Sequence, residues 1–265
     1  ARIYENKWKK YNSLTKKEKL SVIMPRKDIE LDALSQILNG EMHITCHSYV
    51  QSEINMLMKV AEKFNFKVNT FTHILEGYKV ADIMASHGAG GASFADWWAF
   101  KNEVKEAIPY NAALMSQAGV VTAINSDNRE MARRLNQEAG KTIKYGNLSE
   151  VEAMKLVTLN PAKLLNLDHR MGSIKIGKDA DLVLWNEHPL SIYSKPLKTI
   201  VDGKIYYDIE EDEILREEIK RERARIISKM KNSDTPVGGR RKPIKTAHFE
   251  LTCEDEYDYQ STSEN

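Results

Sequence analysis

The chain has 265 residues, enough to bury a sizeable core as one large domain or as one domain with an appendage. Hydrophobic residues make up 42% and charged residues 29%, and the net charge is +1, so composition gives no reason to expect a nucleic acid or an anionic membrane as partner. The longest uncharged stretch, residues 107–125, is interrupted by Pro109 and Gly119, so no membrane span is predicted.

The cysteines and the start of the chain say little about the cellular compartment. Cys46 and Cys253 lie far apart, so neither a disulfide framework nor a CxxC metal site is predicted. The first residues, ARIYENKWKKYN, contain no hydrophobic signal segment and read like the middle of an open reading frame. The sequence therefore leaves the cellular compartment undecided. The protein is expected in the cytoplasm, or in the periplasm or outside the cell if a signal peptide precedes this sequence.

The first 40 residues are predicted to be helical. Residues 1–22 are Lys-rich and patchily amphipathic. In residues 28–39 the apolar side chains recur near helical spacing, Asp28 is placed to cap the start, and Gly40 fits the stop.

An alternation of strand and helix patterns follows. The short strand patterns are HITC, KVNTFTH, a glycine-rich segment after His87, and GVVTAINSD. Helical patterns lie between and after them: VQSEINMLMKVAEKFN, GYKVADIMASHG, and residues 129–141 and 149–158. This rhythm predicts a parallel α/β sheet or barrel.

The pattern changes near residue 169. Residues 169–208 contain short β-rich runs separated by Gly and Asp, which predicts a small β appendage. Residues 209–232 predict a charged helix with acidic first turns and basic later turns, a distribution that complements the helix dipole. Residues 233–265 are polar and are predicted to form an extended or disordered tail.

Three polar residues end strand patterns. His47 ends ITCH, His73 ends NTFTH and Asp127 ends VVTAINSD. The carboxyl ends of parallel strands face a shared site in such folds, so these residues are expected to converge. Two imidazoles and a carboxylate suit a borderline metal such as zinc. A single strand-end histidine is more often structural than a ligand, and only the three together favour a metal site.

Other candidates have competing interpretations. His87, in ASHGAGG, is either structural or substrate-binding. The insertion that holds Asp96, Trp97, Trp98 and Lys101 either lines a substrate entrance or packs down as a loop. The nearby glycines do not match GxGxxG in a strand–turn–helix setting, so phosphate binding is not predicted.

The motifs resemble a known family. ITCHSY, NTFTHILEGYKVAD, TAINSDN, LVTLNPAKLLNLDHRMGSIKIGKDADLVLWN and TIVDGKIYYD look like the second half of amidohydrolases related to imidazolonepropionase. The resemblance covers residues 40–208. It implies an α/β fold with a partial (β/α)8 barrel of TIM type over residues 1–168, supplying about strands five to eight. A small β-sandwich portion over 169–208 and a C-terminal charged helix would follow.

The resemblance also implies roles for the three strand-end residues. His47 would be the fifth-strand metal ligand, and His73 the sixth-strand histidine that binds a second metal or touches substrate. Asp127 would bind metal or its water and shuttle the proton. The implied cofactor is a divalent metal, zinc first with iron or manganese as alternatives, as one or two ions.

One motif of the family is missing. Members open the barrel with an HxH pair on the first strand, and no HxH occurs in this sequence. The N-terminal half of the barrel is therefore expected from the same gene product or from a partner chain, and activity is expected only when that half is supplied. A homo-oligomer is also expected.

The implied function is hydrolysis of a C–N bond in a small-molecule amide, either a cyclic amide or an N-acyl or peptide-like amide. Three alternatives stay open. The first alternative is a non-catalytic amidohydrolase-like assembly protein. The second is a cofactor-free binding module that acts through helix 209–232, and the third is a purine-type deaminase of the same superfamily.

Overall fold

A computed structural model of the protein describes residues 1–99 and 101–232, so the predicted tail 233–265, with Cys253, lies outside the described residues. The chain divides into two compact units. The first comprises residues 1–125 and 135–173, and the second residues 126–134 and those from 174 onward. Each unit has a sheet of its own.

Three helices open the first unit: α1 (Arg2–Asn12), α2 (Lys16–Lys19) and α3 (Ile29–Leu38). The Asp28 carboxylate accepts a hydrogen bond from the Leu31 N–H at 3.0 Å, so the predicted N-cap of α3 is confirmed. The Tyr4 hydroxyl donates to Asp32 at 2.8 Å and ties α1 to α3.

A four-stranded parallel sheet follows, and its strands pair in chain order: β1 (Ile44–His47), β2 (Val68–Thr72), β3 (Gly90–Ser93) and β4 (Thr122–Ile124). The remaining helices before the second sheet are α4 (Gln51–Phe64), α5 (Ala81–His87), α6 (Asn111–Gln117), α7 (Arg129–Ala132), α8 (Leu135–Gly146), α9 (Glu150–Lys155) and α10 (Leu159–Leu164). Single 3-10 turns lie at Gly77–Val80 and Asn102–Val104. The predicted parallel α/β arrangement is confirmed, and the carboxyl ends of all four strands lie at one edge.

Two predicted helices differ from the observed ones. The helix predicted over 129–141 is broken between α7 and α8, and these two helices belong to different compact units. The helix predicted over 149–158 ends at Lys155, because the carbonyl of Leu156 accepts a hydrogen bond from the Ile124 N–H of β4 at 3.0 Å. This hydrogen bond to the sheet takes the place of a further helical turn.

The core of the first unit packs helices against the sheet. Its fully buried members include Ile54 and Met58 of α4, Phe71 of β2, Met84 of α5 and Met115 of α6. Burying one side chain of this size stabilises a fold by about 1.5–3 kcal/mol. The carboxyl edge of the sheet therefore rests on a closely packed layer.

Helix α10 lies close to the sheet, and Gly90 makes this approach possible. A Cβ atom at Gly90 would overlap the side chain of Leu164. Asn69 donates to the Leu164 carbonyl at 2.6 Å, and Asn160 donates to the Thr122 carbonyl at 2.7 Å. Gly90, the first residue of β3, thus serves close packing.

The second unit contains an antiparallel sheet of β5 (Leu182–Trp185), β6 (Pro196–Val201) and β7 (Lys204–Asp208). Asp202 and Gly203, with φ of 50° and 75°, form the two-residue turn between β6 and β7. Helix α11 (Ile209–Lys231) follows directly, and the Asp208 carboxylate caps it by accepting from the Glu210 N–H at 3.1 Å. Among the helices of residues 1–99 and 101–232, none combines the length and apolar character that a membrane crossing requires.

The side chain of Asn111 joins the segments that follow β2 and β3 by hydrogen bonds, and substituting it tests how much these bonds stabilise the fold. Its side chain is 1% exposed, donates to the Ile74 carbonyl at 2.8 Å and to Ser93 Oγ at 2.7 Å, and accepts from the Tyr78 N–H at 2.8 Å. Asn111→Ala would leave these groups without their partner, so we expect the free energy of unfolding to fall by about 2–4 kcal/mol in urea denaturation.

The matched control for this prediction is Asn12→Ala, at an exposed asparagine that ends α1. We expect that change to alter the free energy of unfolding by no more than about 0.5 kcal/mol. Equal losses in the two variants would contradict the anchoring role of Asn111.

Candidate active site

Two of the predicted residues, His47 and His73, lie side by side at the carboxyl edge of the parallel sheet. His47 is the last residue of β1, and His73 follows Thr72, the last residue of β2. Their ring centroids are 4.2 Å apart, with the ring planes inclined at 52°. The structure therefore brings together two imidazoles that are 26 positions apart in the sequence.

His73 has an unusual backbone conformation. Its φ is 62°, in the left-handed region that residues other than glycine rarely adopt. Hydrogen bonds hold the turn: the Ile74 N–H donates to the Ala92 carbonyl at 3.1 Å, and the Leu75 N–H donates to the carbonyl of His73 at 2.9 Å. Such a conformation costs on the order of 1–3 kcal/mol and tends to occur at functional sites.

Aromatic side chains surround the two imidazoles. The ring of His73 is stacked on Phe94 at 5.1 Å, and Phe94 is stacked on Trp97 at 4.5 Å. Tyr49 meets His47 edge-on at 4.9 Å. His73 is 7% exposed, whereas His47 is exposed. One imidazole is therefore fixed in the protein and the other opens to solvent.

Asn125, one residue beyond β4, contacts His73. Its side-chain nitrogen lies 2.8 Å from Nδ1 of His73, and its Oδ1 is buried with no hydrogen-bond partner among the described residues. Turning the amide about its Cβ–Cγ bond exchanges the two atoms, so that Oδ1 accepts from Nδ1–H. The ring then keeps its lone pair on Nε2, which is the form that binds a metal.

Glu76 holds the loops that follow the two histidines. Its side chain is 5% exposed, and its carboxylate accepts from the Gln51 N–H at the start of α4 at 3.0 Å. The Glu76 N–H donates to the Tyr49 carbonyl at 3.3 Å, and Lys79 pairs with the carboxylate at 3.3 Å. The loop after β1 is thereby joined to the loop after β2.

Lys79 and Lys141 each bridge two carboxylates near these loops. The hydrogen bond to Glu106 raises the pKa of Lys79, and the contact with Glu76 adds to the shift. Burial works to lower the pKa of Lys141, but its hydrogen bonds to Asp96 and Glu138 outweigh burial and raise it. Both lysines therefore stay cationic at neutral pH, and the second ties the Trp97 segment to α8.

The outcomes for the other predicted residues differ. Asp127 belongs to the segment 126–134 of the second compact unit, so its convergence with the histidines stays a prediction. His87 lies at the amino end of β2, where its Nε2 accepts from the Val68 N–H at 3.4 Å. Trp98 contacts Tyr145 edge-on at 6.1 Å. Of the predicted substrate-binding residues, only Trp97 belongs to the row of stacked rings formed by His73, Phe94 and Trp97.

The described residues supply part of a ligand set. Two imidazoles, one of them oriented by the Asn125 amide, fit a borderline divalent ion such as zinc. Within residues 1–99 and 101–232, no group of three or more His, Cys, Asp or Glu residues is arranged to hold a metal ion. Burial, followed by the charge of Glu53, raises the pKa of the Cys46 thiol, so in the metal-free protein this thiol is protonated at neutral pH.

Sequence reasoning missed Asn125 and Glu76. Asn125 carried a usable signal, because it stands two residues before Asp127 at the end of the same strand pattern. Glu76 carried none, since a lone glutamate in HILEG is indistinguishable from a solvent-exposed loop residue.

Comparisons with known proteins agree with this fold. The sequence profile of the Amidohydrolase family matches residues 99–206. The amidohydrolase tasK of Hapsidospora irregularis is 30% identical over 186 residues, 68% of this chain and 19% of tasK. The urease subunit alpha of Edwardsiella ictaluri (strain 93-146) is 33% identical over 109 residues, 35% of this chain and 19% of that subunit. A crystal structure of an amidohydrolase from Thermotoga maritima MSB8 has a TM-score of 0.64 at 28% identity, covering 78% of this chain and 54% of that one.

The chain thus spans about a fifth of these curated relatives and about half of the Thermotoga chain. The matches support the predicted similarity of the chain to the amidohydrolase superfamily. The parallel α/β sheet fits a TIM-type fold. The narrower relation to imidazolonepropionase stays a prediction.

The role of Glu76 is testable by stability measurements. Glu76→Ala uncaps α4 and separates the two strand-end loops, so we expect the free energy of unfolding to fall by about 1–3 kcal/mol. Glu76→Gln keeps an acceptor for the Gln51 N–H and should lose less. Glu106→Ala removes the other partner of Lys79 at a more exposed position and should change stability by less than about 1 kcal/mol. A larger loss in Glu106→Ala than in Glu76→Ala would overturn the assignment.

Proposed function

We propose that the protein belongs to a metal-dependent hydrolase that cleaves a C–N bond in a cyclic amide or in an N-acyl or peptide-like amide. The main observation behind the proposal is the His47–His73 pair at the carboxyl edge of the sheet, where the side-chain amide of Asn125 contacts Nδ1 of His73. The similarity to amidohydrolases supports it. Zinc is the first choice of metal, because two neutral imidazoles suit it.

The proposed mechanism divides the work among four residues. A divalent ion, when bound, would lower the pKa of a water held on it and so make hydroxide available at neutral pH. His47, His73 and Asp127 would hold the ion, and Asn125 would keep the proton of His73 on Nδ1. Asp127 accepts the proton of the water and passes it to the leaving nitrogen. If His73 is not itself a ligand, it stabilises the oxyanion instead.

Completion of the site is part of the proposal. The chain covers 54% of the Thermotoga amidohydrolase, and β1 and β4 are the outer strands of its four-stranded sheet. Exposed strand edges tend to pair with further strands. The outer edge of β4 already bonds to Leu156 and Asn160, whereas Thr45 and His47 of β1 are exposed. We propose that further strands, from the same gene product or from a partner chain, pair with the edge of β1 and supply the remaining ligands. The experiments below therefore use the protein expressed from its complete reading frame.

The metal assignment predicts which substitutions release metal. We expect His47→Ala and Asp127→Ala each to lower bound zinc, measured per chain by mass spectrometry after dialysis, because each removes a ligand. His188→Ala, at an exposed histidine of the second unit, is the control and should retain zinc. Unchanged zinc in both His47→Ala and Asp127→Ala would refute the ligand set.

The same preparations test the reaction. A panel of cyclic amides, N-acyl amino acids and dipeptides is assayed with zinc and after chelation, and free ammonia is measured separately. We expect zinc-dependent amide opening, and about a 100-fold or greater loss of kcat in Asp127→Asn through loss of the proton acceptor. Ammonia release from purine-type rings without amide opening would favour a deaminase, and retained zinc without turnover of any substrate would favour a non-catalytic protein.

Asn125 predicts a separate change in metal affinity. Asn125→Leu keeps the size of the side chain but removes the acceptor for Nδ1–H, so we expect zinc affinity to fall by about 10- to 100-fold in a chelator competition titration. Asn125→Asp keeps an acceptor and should retain most of the affinity. If Asn125→Leu binds zinc as tightly as the unchanged protein, Asn125 does not set the protonation of His73.

A further inference from the structure

Helix α11 presents an apolar stripe to solvent. None of its 23 residues is buried. Leu215, Ile219, Ile226 and Met230 are 54%, 65%, 44% and 70% exposed. Their spacing of four, seven and four residues places them on one face of the helix. A groove beside this stripe is lined by Glu218, Ile219, Glu222, Arg223, Ile226 and Ile227.

The charges of α11 are divided between its two halves. Residues 210–219 hold six acidic residues and one basic residue, and residues 220–231 hold six basic residues and one acidic residue. The helix dipole favours such charges only within the first and last turns, whereas this division extends to the middle of the helix. The dipole therefore explains only the ends of the pattern.

Ion pairs within the helix neutralise only some of these charged side chains. Asp212 pairs with Arg216, Glu217 with Lys220, and Glu222 with Arg225. Among the described residues, by contrast, Glu213, Glu218, Arg221 and Arg223 form no ion pair. Both halves thus keep charge of one sign beside the apolar stripe.

We propose that α11 pairs in antiparallel orientation with α11 of a second copy of this chain. In that orientation the acidic half of each helix lies on the basic half of the other. Leu215 then packs near Met230 of the second copy, and Ile219 near its Ile226, because both pairs are symmetric about the Glu222–Arg223 position. A parallel pair would set like charges against each other, which disfavours it.

The chemistry of the face selects a second copy over another occupant. Two copies of one surface meet about a two-fold axis only if the surface complements itself, and the reversed charge halves satisfy this condition. The helix is about 35 Å long, enough for several layers of apolar contact. This pairing does not depend on the proposed hydrolase activity.

The test is the association state of the full chain by sedimentation velocity over a range of concentrations. Ile219→Glu and Ile226→Glu each place a carboxylate in the stripe, and we expect each to weaken dimerisation by about 100-fold. Ile214→Glu is the matched control, since Ile214 is 61% exposed and lies on another face of the same helix. It should leave the association unchanged, with helix content checked by circular dichroism in all variants.

Charge reversal tests the orientation. Glu210→Lys, Glu213→Lys, Glu217→Lys and Glu218→Lys together leave two acidic and five basic residues in 210–219, so both halves become basic and the dimer should be abolished. Adding Arg221→Glu, Arg223→Glu, Lys229→Glu and Lys231→Glu leaves five acidic and two basic residues in 220–231, which exchanges the signs of the two halves and should restore the dimer. Salt should weaken the unchanged dimer by screening these charges. A monomer at every concentration, a dimer that survives Ile219→Glu, or a second set of reversals that fails to restore association would each overturn the proposal.

Discussion

The candidate site depends on one constraint, the parallel pairing of β1 with β2. The register sets His47 opposite Thr72, so that His47 and His73 arrive at the same edge of the sheet. A shift of one residue would turn the imidazole of His47 to the other face, because side chains alternate along a strand. The Phe94 stack and the Asn125 contact act on His73, which this register has already placed beside His47, and Glu76 joins the loops that follow the two histidines.

The backbone of His73 shows how the fold holds this arrangement. A left-handed residue is unfavourable by itself, yet the two residues after it, Ile74 and Leu75, are 0% and 1% exposed. Their burial contributes on the order of 1.5–3 kcal/mol each, which is enough to offset the strained turn. The conformation also stacks the imidazole flat against Phe94 and leaves Nδ1 beside Asn125. The core therefore fixes the direction in which His73 faces.

Sequence patterns predicted the parallel strands because hydrophobic alternation and strand-end polar residues are local properties. They also pointed to His47 and His73, each of which directly ends a strand pattern. They failed for α6, which lies in an uncharged stretch without amphipathic spacing, and for the break after α7, where the chain passes between compact units. The contacts of Asn125 and Glu76 join residues 52 and 25 positions apart, and only the folded sheet brings such pairs together.

Helix α11 shows why composition alone is a poor guide to partners. A net charge of +1 over the whole chain excludes a strong general attraction to polyanions, but it sums charges that the helix keeps apart. Charges of opposite sign in two halves attract a reversed copy and repel a parallel one, although their total is zero. The apolar stripe supplies surface to bury, while the order of the charges selects the orientation. Recognition by this helix therefore depends on where its charges lie.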